Sequence, residues 1–429
     1  MPRRLIIVGA GPAGLTAAIV AARAGAKVLV LEQLDRPGAK LSVCGGGRGN
    51  VTIRLAAKEM AAAYGRQGRF ALAALEAMDA QGLCDFLSGL GVPTVSPDGL
   101  HVYPASQRAG DVTAALVREC RRLGVEIRCG VAVDELVLDV AQSPSAVHES
   151  DRPAAVRGIR ANGQDWPADG IILAAGGCSY AALGGTGAGL KLARKAGHTI
   201  VEPVPALVPL VTQETWPAKL AGVSVAEATL RIDLPHERQA ASRGDILFTH
   251  RGLSGPAVLN LSGRISRLLI KASPVPVLLS LPLASSGIAP GESAAAILER
   301  WRVSAGASQV RTLLARQLPR ALVDALCEQA GVAADTPAAR LPRPVQDDLA
   351  QRLAATRLTI TRTEGFEHAM VTAGGVALKE VDPRTLASRL IGRLAFAGEI
   401  LDLDGPTGGF NLHWAFASGA LAGTAFSGE

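Results

Sequence analysis

Four glycine-rich stretches carry the residues whose types and spacing could do chemistry. The first is Gly9-Ala10-Gly11-Pro12-Ala13-Gly14, between an apolar run (Leu5 to Val8) and an alanine-rich run (Leu15 to Ala24). A strand turning into a helix at G-x-G-x-x-G uses its first glycine for the turn. The second lets backbone approach a pyrophosphate, and the third lets helix and strand pack closely. The helix N-terminus then offers free N–H groups to phosphate. Lys27 to Leu31 reads as a second strand, and Glu32 follows it, eighteen residues past Gly14. An acid near that spacing takes a ribose hydroxyl pair and repels a 2′-phosphate, which points to FAD or NAD rather than NADP.

The second stretch is Gly45-Gly46-Gly47 with Arg48 and Asn50 behind it. Three glycines in a row permit close backbone approach to something flat or anionic, and Arg48 and Asn50 could add a cation and an amide. In the third, an apolar run from Ile171 to Ala175 enters Gly176-Gly177, as a parallel strand ends beside a cofactor. In the fourth, Leu394 to Ala397 ends in Gly398-Glu399, and Gly408-Gly409-Phe410-Asn411 opens a helix to Ala425. The Glu399 carboxylate could accept from a polyol hydroxyl such as a ribityl group. The helix N-terminus suits the N1/C2=O edge of a reduced flavin, an effect of about 0.3–1 kcal/mol exposed and up to ~2 buried.

The elements that must position these stretches follow from pattern. The 429 residues suffice for two or three domains, and 48% hydrophobic with 19% charged residues fits a globular enzyme. Leu5 to Ala22 carries no charge and reaches the lower length bound of a membrane span. Its three glycines and Pro12 argue against a span or a secretory signal. Helices are expected over 56–90 and 106–123, a short hairpin over 92–104 with Pro97-Asp98-Gly99 as its turn, and a polar hairpin tip over 143–154. Prolines and short alternating runs dominate 200–285, so that region is expected to be mostly β with few long helices. The pattern turns helical over 291–356, and Arg357 to Thr361 looks like a strand returning to the β region. The six cysteines form no C-x-x-C and no zinc spacing. Reduced thiols and a cytoplasmic location are therefore expected, with no metal site and no membrane association. The charge of +6 comes from scattered basic residues, and aromatics are 3%. Nucleic acid is accordingly not an expected partner.

Six segments then fall in a familiar order: GAGPAGL (9–15), KLSVCGGGRGNVT (40–52), ILAAGG (172–177), GDILFTHRGLSGPAVLNLS (244–262), VTAGGV (371–376) and FAGEILDLDGPTGGFNLHWAFASG (396–419). Together they resemble the BaiN-like flavoproteins, a bacterial family described as aminoacetone-oxidase-like FAD-binding enzymes. The resemblance implies an α/β fold: a Rossmann-type, glutathione-reductase-like FAD-binding domain with an inserted β-rich domain and a helical subdomain. The FAD domain would comprise 1–197 and 370–429, the β-rich insert 198–287 and 357–369, and the helical subdomain 288–356. By motif match, Gly9, Ala10, Gly11, Pro12, Ala13 and Gly14 would hold the pyrophosphate and Glu32 the adenosine ribose. Lys40, Gly46, Gly47, Arg48 and Asn50 would line the flavin side, Glu399 the ribityl chain, and Gly408, Gly409, Phe410 and Asn411 the isoalloxazine edge. Val133 would meet the adenine through its backbone. Gln33, Gly38, Ala174, Ala175, Gly176, Gly398 and Asp404 complete the expected cofactor-binding set.

One departure stands out. The family reads Ser-Gly-Gly-Gly-Arg-Cys-Asn in the triple-glycine loop, whereas this chain has Cys44 for the serine and Gly49 for the cysteine. The family's usual cysteine position is thus empty of sulfur, and Cys44 has no partner cysteine nearby in sequence.

The function expected is an FAD-dependent oxidoreductase that moves hydride through flavin N5 to or from a small organic molecule. With a single dinucleotide fingerprint, NAD(P)H is kept only as a transient co-substrate. Substrate is expected between the FAD and inserted domains, where His250, Arg251 and His413 are candidate polar groups; each also has an ordinary structural role open to it. No catalytic acid or base and no oligomeric state is assigned. The alternative is an RNA-associated or RNA-modifying flavoprotein, motivated by the positive charge and the helical subdomain.

Overall fold

The structure is a computed structural model that describes residues 2–139, 154–237, 239–283 and 292–426. The polar stretch 143–154, expected as a hairpin tip, lies outside the described residues apart from Ala154. The chain forms two compact units, Met1–Val204 with Met370–Glu429, and Pro205–Ala369.

The first unit is built on a five-stranded parallel sheet: β1 (Arg4–Val8), β2 (Lys27–Leu31), β3 (Glu126–Arg128), β4 (Gly170–Leu173) and β5 (Leu394–Phe396). Their spatial order is β5-β4-β1-β2-β3. Leu5 to Val8 of β1 and all of β4 and β5 are buried, as the uninterrupted apolar runs require of strands covered on both faces. Register puts Val8 beside Leu31 and Leu173, so the strands end together at one edge. This is the Rossmann-type arrangement, with the glycine turn leaving the end of the central strand.

The first helix, Pro12–Arg23, and the last, Phe410–Thr424, pack at backbone contact. A Cβ on Gly419 would overlap the Ala13 carbonyl oxygen, and one on Gly423 would lie 2.8 Å from that of Ala17. The contacts advance by four residues on both helices, so the two run parallel. Residue 418 is level with Pro12, so the last helix begins eight residues earlier. At 1.5 Å per residue its N-terminus lies about 12 Å beyond that of the first helix, pointing the same way. Smaller antiparallel sheets lie in the same unit, among them Thr52–Ile53 with His101–Pro104 and Thr94–Val95, and Val133–Leu138 with Val156–Ala161 and Gln164–Pro167.

In the second unit six antiparallel strands close a barrel. Around it run Leu210–Thr212, Gly252–Ser254, Ala241–Thr249, Ser224–Ile232, Val275–Ser280 and Thr356–Thr363, the last pairing again with the first. One difference from expectation is a sixteen-residue helix, Pro256–Lys271, within the β-rich stretch. Proline at its first position starts the helix. Ala257, Val258, Leu261 and Ile265 then fall at helical spacing and enter the barrel core. Helices Ala294–Ser304, Val310–Leu314, Arg320–Gln329 and Arg343–Ala355 share that core.

Gly419→Val should force the first and last helices apart. The expected cost is about 2 kcal/mol, as for overpacking at a tight contact, read as a lowered urea midpoint. An unchanged midpoint would contradict this packing.

Candidate functional site

The first helix starts at Pro12, at the glycine turn, and packs against it only because residue 14 is glycine: a Cβ there would overlap the Gly9 carbonyl oxygen. The space a Cβ of Gly11 would enter is open, with nothing within 4 Å. Beside it the Glu32 carboxylate is held at both oxygens: Ala10 N–H donates to Oε2 at 2.8 Å and Leu34 N–H to Oε1 at 2.9 Å. A carboxylate offers about four acceptor sites, so about two remain, as many as a ribose diol needs. Gly38 N–H donates to the Ala10 carbonyl at 2.9 Å, and Val131 N–H donates to the Glu32 carbonyl at 2.9 Å, two residues before Val133 opens its strand. Gln33 turns to the glycine segment at 184–186, donating to the Gly184 carbonyl at 2.7 Å and accepting from Thr186 at 3.3 Å.

At the ends of β4 and β5 a second cluster forms. Ala174, Ala175 and Gly176 lead from β4 to Ser179, and Gly398 and Glu399 follow β5. The Lys40 ammonium donates to Glu399 Oε2 at 2.6 Å and to Ser179 Oγ at 2.7 Å. Ser179 Oγ–H and Thr372 N–H both donate to Glu399 Oε1 at 2.8 Å. Burial alone would raise the Glu399 pKa. The Lys40 charge and the hydrogen bonds from Lys40, Ser179 and Thr372 outweigh it and hold the carboxyl below its ordinary value. Three donors leave about one acceptor site of Glu399 open, enough for one hydroxyl. Ser179 and Thr372 went unread in the sequence; VTAGGV was noted only as a motif.

The triple-glycine loop faces the last helix through Asn50. A Cβ on Gly409 would lie 2.9 Å from Asn50 Oδ1, which is buried with no hydrogen-bond partner among the described residues. Gly46 borders open space, and Gly47 lies next to Arg48. Arg48 instead turns outward: its guanidinium sits 4.5 Å from the Tyr103 ring centroid, and its Nε donates to Gln107 at 2.9 Å. Gly49 has φ +74°, and a Cβ there would lie 3.0 Å from Ala109 Cα, so a cysteine at this position would be strained. The Cys44 thiol donates to the Lys40 carbonyl at 3.3 Å, and burial raises its pKa. Asp404 lies in the segment entering the last helix. The Asn411 side chain closes that segment, accepting from Gly405 N–H at 2.8 Å and donating to the Gly405 carbonyl at 2.8 Å. Phe410 is buried edge-on against Tyr64.

His413 is fully buried in the last helix. Its Nε2–H donates to the Met78 carbonyl at 2.8 Å, so Nδ1 accepts from Thr52 Oγ1–H at 2.6 Å. Burial lowers its pKa to about 4. It is a structural imidazole, not a substrate group. His250 and Arg251 sit exposed on a turn of the second unit. A further pair joins the expected Pro97-Asp98-Gly99 turn to the strand after it: His101 Nδ1 lies 2.6 Å from Asp98 Oδ2. The i,i+3 spacing was the available signal.

Two predictions follow from these groups. The Lys40–Glu399 pair is about a quarter exposed, so Lys40→Met should cost about 2 kcal/mol in urea unfolding, less than for a fully buried pair. The double variant Lys40→Met/Glu399→Leu should recover part of that; equal losses would contradict the pairing. His413 has a folded pKa near 4 and an unfolded one near 6.5. The unfolded chain therefore takes the proton first, and stability falls as pH drops from about 6.5 towards 4, by up to about 3 kcal/mol. His413→Gln should remove that slope, and an unaltered slope would refute the neutral buried state.

A family model described as HI0933-like protein Rossmann domain matches residues 3–425. Over 427 residues the chain is 35% identical to the 3-dehydro-bile acid delta(4,6)-reductase of Clostridium scindens, covering 98% of each. It is 29% identical over 416 residues to the ribosomal RNA dihydrouridine synthase of Escherichia coli, covering 96% of this chain and 95% of that one. In fold it is similar to the 3-ketosteroid delta1-dehydrogenase of Sterolibacterium denitrificans, with TM-score 0.53, 15% identity and 99% coverage of both chains. The resemblance drawn from the glycine-rich motifs therefore holds across the chain, which belongs to the HI0933-like Rossmann family of flavoproteins.

Proposed function

We propose that the protein is an FAD-dependent oxidoreductase that reduces a carbon–carbon double bond conjugated to a carbonyl in a small organic molecule, with NAD(P)H as transient donor. The observation that carries the cofactor is the pair of parallel helix N-termini, offset by about 12 Å along their axes and pointing the same way. The first would face the pyrophosphate, and the second the pyrimidine edge of the flavin. The residues fit this group. Gly11 borders open space, Glu32 keeps acceptor sites for a ribose, Glu399 keeps one for a ribityl hydroxyl, and Asn50 Oδ1 lacks a donor. Gly9 to Gly14, Glu32, Lys40, Asn50, Glu399 and Gly408 to Phe410 are the residues assigned to holding it. Arg48 and Asn411 are assigned to shaping the loops. When bound, FAD supplies two-electron hydride chemistry. The domain assignment goes with this reading: 1–197 with 370–429 for FAD, 198–287 with 357–369 for the β-rich insert, and 288–356 for the helical part.

The double-bond chemistry is supported by the relatives' names. A delta(4,6)-reductase of a 3-dehydro bile acid and a dihydrouridine synthase share one transformation, the addition of two hydrogens to a C=C bond conjugated with C=O. The more identical of the two acts on a small molecule. The RNA reading is favoured by two relatives named ribosomal RNA dihydrouridine synthase, at 29% and 28% identity. Against it, many surface arginines are already paired with acids, among them Arg160, Arg302, Arg320 and Arg343.

The test is anaerobic. Photoreduced protein is mixed with a 3-oxo-Δ4,6 steroid acid, with uridine, and with ribosomal RNA at low salt. The proposal predicts flavin reoxidation by the steroid enone and a product heavier by two hydrogens. Reoxidation by RNA alone, suppressed by salt, would replace it with the RNA reading.

A further inference from the structure

Within the first unit, the start of the last helix meets the strands Thr52–Ile53 and His101–Pro104. Ile53 pairs with His101. A Cβ on Gly408 would lie 3.2 Å from His101 Nε2, one residue from the Gly409 that abuts the unpartnered Asn50 Oδ1. His101 is held from its other side. Asp98 Oδ1 accepts from Leu100 N–H at 3.0 Å and from His101 N–H at 2.8 Å, while Oδ2 lies 2.6 Å from His101 Nδ1. The imidazole and the two amides hold the Asp98 carboxyl well below its ordinary range, so a carboxylate faces Nδ1. A carboxylate there keeps Nδ1 protonated and leaves Nε2 as the nitrogen that exchanges a proton. Nε2 has no hydrogen-bond partner among the described residues, and the side chain is 31% exposed, open to solvent for reprotonation.

Other nearby groups are committed. Gly49 replaces the family's cysteine, the Cys44 thiol is bonded to the Lys40 carbonyl, Lys40 is bonded to Glu399 and Ser179, and both His413 nitrogens are engaged.

We propose that His101, held by Asp98, is the general acid of the reduction, delivering its Nε2 proton to the substrate carbon next to the carbonyl. This rests on the enone-reductase reading above. FAD, when bound and reduced, would supply the hydride whose electron pair makes the C–H bond at the β carbon. The π pair of the C=C bond moves to the α carbon and takes the proton from Nε2. The N–H pair stays on the imidazole and solvent restores the proton; the two electrons gained by the substrate would be those the bound FAD supplies as hydride.

The test uses the FAD-loaded full chain, with FAD content as the control for folding. In His101→Gln and His101→Ala, single-turnover reoxidation of the reduced flavin by the enone should slow by about 100-fold or more, as for loss of a general acid. Added imidazole should restore rate to the alanine variant, a response that a merely structural role would not give. A readout independent of turnover is binding of 4-nitrophenol, which resembles the enol of the product. Imidazole nitrogen shifts of His101, labelled with 15N and assigned with the variants, should move on binding, and affinity should fall about 5-fold or more in His101→Gln. If the wild type reduces the enone and both variants match it, the His101 assignment falls and the reductase reading stands; if it binds the phenol and both variants bind it equally, the His101 assignment falls. If the wild type does neither, the reductase reading falls and the assignment falls with it.

Discussion

The first and last helices touch at their backbones, and the site depends on that contact. Gly419 and Gly423 allow it, because any side chain at Gly419 would meet the Ala13 carbonyl. Segments some four hundred residues apart in sequence are thereby fixed in parallel. Their dipoles point to the same edge of the parallel sheet, and each N-terminus carries about half a positive charge. The offset is set by where each helix begins, at Pro12 and at Phe410.

Charge is placed on the same edge with similar economy. Lys40, Ser179, Thr372 and Glu399 come from four separate segments and meet at the ends of β4 and β5. Partial burial alone would raise the carboxyl's pKa; the Lys40 charge and the three donors hold it below its ordinary value. The glutamate can then accept from a hydroxyl without moving. Glu32 works alike at the other end, held by two backbone amides with acceptor capacity left over. Both acids are fixed by contacts that do not require a ligand, which is preorganisation in its simplest form.

Much of the fold was legible because the sheet strands are short apolar runs, three of them leading into glycine and one into Glu32. Leu5 to Val8, Lys27 to Leu31, Ile171 to Leu173 and Leu394 to Phe396 all lie in the strands so read. The helix Pro256–Lys271 was not read, since short alternating runs flank it. Glu399 could be placed at a strand end, but its partners could not be named. Lys40 is 359 residues away, and no local pattern encodes that distance. Arg48 was expected towards the ligand; the aromatic face of Tyr103 and the Gln107 amide draw it elsewhere. Asp98 and His101 were hidden in a Pro-Asp-Gly turn, where an acid capping the backbone is ordinary.

The most direct measurement is the FAD stoichiometry of the purified chain, set beside that of Gly11→Val. The account predicts a yellow protein that releases one FAD per chain on denaturation, and a Gly11→Val variant that folds but holds little. The Gly11 side chain would enter only the open space assigned to the pyrophosphate. A wild-type protein that takes up no FAD, or a valine variant that binds it equally well, would contradict the assignment of this edge to the cofactor.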